Sequence, residues 1–88
     1  MSGDHRRAMV RRVIADHAQL AVNTDSIADS ADLFANGMTS HASVNVMLAL
    51  EDAFDLEFPD RMLTRSVFSS IDAIGAAIAE LSREPAHG

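Results

Sequence analysis

The sequence predicts a small all-helical bundle of four helices with a long first loop. Three observations carry that expectation. Apolar residues recur at three- and four-residue spacing in separate stretches, no stretch alternates with period two for long enough to make a strand, and turn or capping residues fall between the apolar stretches. With 88 residues and no linker, repeat or low-complexity tract, the chain has room for one domain, 1–88.

The first helix is expected over about residues 4–21, where Met9 or Val10, Val13, Ala18 and Ala21 repeat at helical spacing. Asn23-Thr24-Asp25-Ser26 and Asp29-Ser30 then supply turn and capping chemistry around Ile27, in a stretch long enough to hold a short helical turn. Leu33 and Phe34 form an apolar plug before the turn signal Asn36-Gly37. Residues 40–54 are the most helix-like segment. Pro59 suits the first turn of a short third helix over about 59–65, with Met62 and Leu63 facing inward. Ser70 is a candidate N-cap for a last helix over about 70–81, whose Ile71, Ile74, Ile78 and Leu81 make a one-sided stripe. Residues 82–88 read as a tail.

Composition narrows the function. Hydrophobic residues are 48% of the chain, yet fifteen are alanine and only four are aromatic, so the core is thin and a large catalytic cleft is not expected. The absence of cysteine removes disulfides, thiolate chemistry and Cys-based zinc sites. No apolar run approaches the roughly 20 residues of a membrane span, the start MSGDHRR does not look like an export signal, and the cytoplasm is the expected compartment. Net charge is −6, distributed as +2 over residues 1–20, −8 over 21–60 and zero over 61–88. An acidic middle repels nucleic-acid phosphates and attracts a basic protein surface. Arg6, Arg7, Arg11 and Arg12 alternate with apolar positions and read as the wet side of the first helix. His5, His17, His41 and His87 show no ligand spacing, Asp25, Asp29 and Asp32 do not fit a calcium loop, and no metal is expected.

On a helical wheel, residues 40–55 place Ala42, Val46, Ala49, Leu50, Ala53 and Phe54 on one side, the buried one. The opposite side carries Ser40, Val44, Leu48, Glu51 and Asp55, with Met47 and Asp52 at its edges. Two aliphatics in line with acids are either isolated exposed residues, which are ordinary, or a docking stripe on which acids steer a basic partner and Val44 and Leu48 supply apolar contact. Ser40 heads this stripe after Asn36-Gly37-Met38-Thr39. It either caps the helix or carries a phosphate ester, which the free amides and positive end of the helix would stabilise.

The runs D-L-F-A-N-G-M-T-S-H, L-A-L-E-D-A-F-D-L-E-F-P-D and F-S-S-I-D-A-I, spread over residues 32–81, closely resemble acyl carrier proteins and peptidyl carrier domains. The resemblance implies a four-helix bundle whose serine, here Ser40, holds a covalent 4′-phosphopantetheine arm transferred from coenzyme A by a phosphopantetheinyl transferase. Gly37, Met38 and Thr39 flank that serine as the remaining cofactor-site positions. Cargo rides as a thioester on the arm, and the chain itself catalyses nothing. The family's recognition helix matches His41, Val44, Met47, Leu48, Glu51 and Asp52 here. Two departures stand out: the family's usual Asp-Ser-Leu reads Thr39-Ser40-His41, which bears on the transferase and the partner set, and the helix has acids only from Glu51 onward. Ser43 is the rival attachment position, off the motif.

Within the family, G-M-T-S, M-L-A-L-E and F-D-L-E-F-P-D look most like the small free-standing aminoacyl carriers. Those are loaded by amino acid:carrier protein ligases that resemble class II aminoacyl-tRNA synthetases. A fatty-acid or polyketide acyl carrier and a nonribosomal peptidyl carrier are the alternatives, and an unmodified helical adaptor that has lost the arm is a further one. A monomer that meets neither nucleic acid nor membrane is expected.

Overall fold

In a computed structural model, which describes residues 3–83, the chain forms three α-helices and two single 3-10 turns. Helix α1 spans Gly3–His17, a 3-10 turn follows at Thr24–Ser26, α2 spans Ser40–Phe54, a second 3-10 turn lies at Asp60–Met62, and α3 spans Ile71–Arg83. No strand occurs among the described residues. Helix α1 packs against both α2 and α3. Val10 and Ile14 of α1, Val46 and Leu50 of α2, and Ile71, Ile74 and Ile78 of α3 meet with Leu33 in a core where each is at most 1% exposed.

The all-helical class stands, but the count of four does not. The segment expected as a helix over 59–65 closes only the turn Asp60–Met62, with Pro59 as its extended cap rather than its first helical residue. Leu63 leaves helical geometry at φ −84°, ψ 62°. Beyond it the Thr64 hydroxyl accepts the Val67 N–H, a local bond that competes with helix propagation. Met62 is buried as expected, whereas Leu63 is 46% exposed. Phe68 then returns to the core and meets Phe58 edge to face, ring centroids 5.3 Å apart.

Two other boundaries move. Helix α1 ends at His17 rather than near residue 21, because Gln19 takes a left-handed φ of 56° that breaks the helical path. Helix α3 runs on through Ser82 and Arg83, which were expected to begin the tail, while 84–88 lie outside the described residues. Ser70 does cap α3: its hydroxyl accepts the Ala73 N–H at 3.0 Å. Helix α2 matches its expected bounds and ends at Asp55 in the left-handed region (φ 52°), where the Leu56 N–H bonds back to the Glu51 carbonyl at 3.1 Å.

The long loop between α1 and α2 is tied down by charge. Arg11 donates to the carbonyls of Thr24 (2.7 Å) and Ile27 (2.8 Å) and to the Asp29 carboxylate (2.7 Å). Arg7 pairs with the other Asp29 oxygen at 3.0 Å. Arg7 stays exposed, as the wet side of the helix requires, while Arg11 is half-buried, and both anchor the loop. The Asp29 carbonyl accepts the Asp72 N–H and the Ser69 carbonyl accepts the Leu33 N–H, which joins the loop to the start of α3. The expected helical turn inside the loop is present at Thr24–Ser26, capped by Asn23, whose side chain accepts the Asp25 N–H at 3.0 Å.

Candidate functional site

Residues 32–39 form a tight turn that delivers the start of α2 to the surface. The Asp32 carboxylate accepts the N–H groups of Phe34 (2.9 Å) and Ala35 (3.3 Å), and the Leu33 carbonyl accepts those of Asn36 and Met38. Leu33 and Met38 are buried on either side of the turn, so Thr39 and Ser40 emerge on the rim. Gly37 has φ 112°, and a Cβ there would sit 2.9 Å from the Ala21 nitrogen. Only glycine meets both demands. Gly37 and Met38 thus shape the approach to Ser40; Met38, 3% exposed, belongs to the core and not to a surface contact.

The capping role weighed for Ser40 falls to its neighbour. Thr39 is the N-cap, and its Oγ1 accepts the Ala42 N–H at 3.0 Å. Ser40 is the first helical residue, exposed, and its hydroxyl has no hydrogen-bond partner among the described residues. The Ser40 and His41 amides precede the point where intrahelical bonding begins and point out at the positive end of a fifteen-residue helix. The first turn of α2 holds no acid. Ser43, by contrast, donates its hydroxyl to the Ser40 carbonyl at 2.6 Å.

A cleft of about 420 Å³ opens beside Ser40. One wall comes from α2 (Ser40, Ser43, Val44, Met47) and the other from residues 63–68 (Leu63, Thr64, Arg65, Phe68), with Phe34 between them. The Arg65 guanidinium carbon lies 4.1 Å from the centroid of the Phe34 ring. The sequence marks Phe34 and Leu63 only as apolar packing residues and gives Arg65 no role, because a loop that folds back on a helix has no periodic signal.

The outward stripe on α2 is present in part. Val44 and Leu48 are 49% and 53% exposed, and His41 and Asp52 are exposed. Met47 is half-buried against the core. Glu51 is committed inward: its carboxylate accepts the Phe58 N–H at 2.9 Å and holds the chain after α2. Asp52 lies on another flank, in the groove between α1 and α2 with Arg12 and His17. Ala42, Val46 and Leu50 face the core as the wheel requires, while Ala53, placed with them, is exposed near the helix end.

An exposed serine with a free hydroxyl, loose amides and an adjoining apolar cleft fits a phosphate-linked prosthetic group. Residues 10–78 match the family described as the phosphopantetheine attachment site. The chain belongs to that family. Its prosthetic group is covalent 4′-phosphopantetheine, and its members are carriers rather than catalysts. This carrier is 52% identical over 67 residues to the aminoacyl carrier protein of Agrobacterium fabrum (strain C58), spanning 76% of this chain and 81% of the relative. It is also similar to the carrier protein from Agrobacterium tumefaciens, in a crystal structure with an engineered Bradyrhizobium japonicum glycine:[carrier protein] ligase and ATP. There the identity is 47% and the TM-score 0.84, covering 86% of this chain and 99% of the other. A second crystal structure pairs the Bradyrhizobium japonicum ligase with a glycylated carrier protein; its similarity to this chain is 28% identity and a TM-score of 0.73, over 84% and 99% of the two chains. No helix among the described residues is long and apolar enough to cross a membrane.

Proposed function

We propose that this chain is a single-domain carrier that bears its 4′-phosphopantetheine arm on Ser40 and holds an amino acid, glycine or one of similar size, as a thioester for partner enzymes. The free Ser40 hydroxyl carries this reading: Thr39 has taken over the capping bond, so the serine has no structural duty to give up. Ser40 would hold the phosphate, with the amides of Ser40 and His41 facing it. The arm supplies a terminal thiol, which a cysteine-free chain lacks. Gly37 and Thr39 keep the serine in place, and the cleft wall of Val44, Met47 and Leu63 offers apolar cover alongside.

The aminoacyl cargo and its loading by an amino acid:carrier protein ligase are supported by the Agrobacterium relative and by the ligase complexes. Val44 and Leu48, with His41, are the docking positions the exposed surface favours. The cytoplasm, which holds coenzyme A and ATP, is the compartment this role requires. The test is reconstitution: with coenzyme A, a broad-specificity phosphopantetheinyl transferase, ATP, glycine and a glycine:carrier protein ligase, the chain should gain an arm and then a glycyl group that hydroxylamine removes. Loading by a fatty-acyl ligase and not by the glycine ligase would make it an acyl carrier, and no arm at all would make it an adaptor.

A further inference from the structure

We propose that Arg65 is the residue of this chain that binds the arm's phosphodiester, and that Phe34 holds it ready. The inference rests on Ser40 carrying the arm. Arg65 and Ser40 line the same cleft, and the guanidinium carbon is 4.1 Å from the centroid of the Phe34 ring. A guanidinium held over an aromatic ring keeps its N–H donors, and a planar fork of donors matches phosphate oxygens. Phe34 is itself held: its backbone N–H bonds to the Asp32 carboxylate, and its half-buried ring packs against the core. A cation pinned in this way loses less side-chain freedom when it takes an anion than a freely moving one.

Charge supports the same assignment. Arg7 and Arg11 face Asp29, and Arg61 faces Glu80, whereas Arg65 has no carboxylate partner among the described residues of a chain with net charge −6. The first turn of α2 adds no acid to compete for it. The phosphodiester on Ser40 would be the anion that completes this cleft, and its pairing with Arg65 would favour an arm lying along Val44, Met47 and Leu63 over one extended into solvent.

The test uses the arm-bearing chain, with attachment first established by intact mass. Between the apo and holo forms the Arg65 Nε–H resonance should shift, and the shift should shrink as salt is raised to 1 M. In the holo form, nuclear Overhauser contacts should join the arm's geminal methyl groups to the Met47 methyl. Arg65→Gln should keep the mass gain and the core resonances of Leu50 and Ile74 but lose those contacts. Phe34→Leu, which removes the stack and leaves the charge, should weaken them. A normal mass gain with an unmoved Nε–H, or contacts retained in Arg65→Gln, overturns the assignment and leaves the Ser40 reading intact. So does slower ligase loading by Arg65→Gln with an unmoved Nε–H in the wild type, which would make Arg65 a partner contact. No mass gain removes the Ser40 reading and this inference with it.

Discussion

Gly37 and Ala21 approach so closely that a Cβ on Gly37 would stand 2.9 Å from the Ala21 nitrogen, and that nitrogen donates to the Asn36 carbonyl at 2.9 Å. The segment after α1 is thereby clamped to the turn that presents Ser40. Gly37→Ala meets both a positive φ and a backbone clash, neither of which a side-chain rotation relieves. It should lower unfolding free energy by about 2–3 kcal/mol in urea titration. A loss below about 0.5 kcal/mol would show that the clamp yields easily.

Thr39 caps α2 through one hydroxyl oxygen, so Thr39→Ala should cost about 1 kcal/mol, read as a lowered thermal midpoint. Thr39→Asp should hold or raise the midpoint, because aspartate caps at least as well and its charge suits the positive helix end. A midpoint as low as that of Thr39→Ala would mean that the cap is not what the residue contributes.

Arg11 satisfies two loop carbonyls and Asp29 at once. Arg11→Met keeps most of the aliphatic stem and should cost about 2 kcal/mol, since hydrogen bonds to charged groups exceed neutral ones. The loss should appear as faster amide hydrogen exchange over residues 23–29, with the exchange of α3 changed less.

Docking and folding separate along α2. Leu48→Ala should leave stability within about 0.5 kcal/mol, because the side chain is 53% exposed, while slowing loading by the ligase. Glu51→Arg should instead destabilise the chain by about 1–3 kcal/mol, since it strips the Phe58 amide of its acceptor. Unfolding curves measured beside loading rates tell the two apart. A Leu48→Ala chain loaded at the normal rate would place the docking surface elsewhere.

How legible the molecule was depended on whether a feature is periodic. Helix α2 and the cap of α3 follow from apolar spacing and a serine before it, signals local to a few residues. The end of α1 was not legible, because Gln19 in the left-handed region has no sequence mark of the kind glycine would leave. The short third helix failed for a related reason. Proline and two apolar residues suit a helix start, but the hydroxyls of Thr64 and Ser66 engage each other and the Val67 N–H engages Thr64, which favours turns. At the site, the motif marked Ser40. That Thr39 rather than Ser40 does the capping, that Glu51 faces Phe58, and that Arg65 stacks on Phe34 depend on contacts between segments.

The most direct test of the account is to locate the arm by tandem mass spectrometry of the chain after loading from coenzyme A, alongside Ser40→Ala and Ser43→Ala. The account predicts one pantetheinyl phosphate on Ser40, absent from Ser40→Ala and retained by Ser43→Ala. An arm on Ser43 or any other residue, or one still gained by Ser40→Ala, would contradict it.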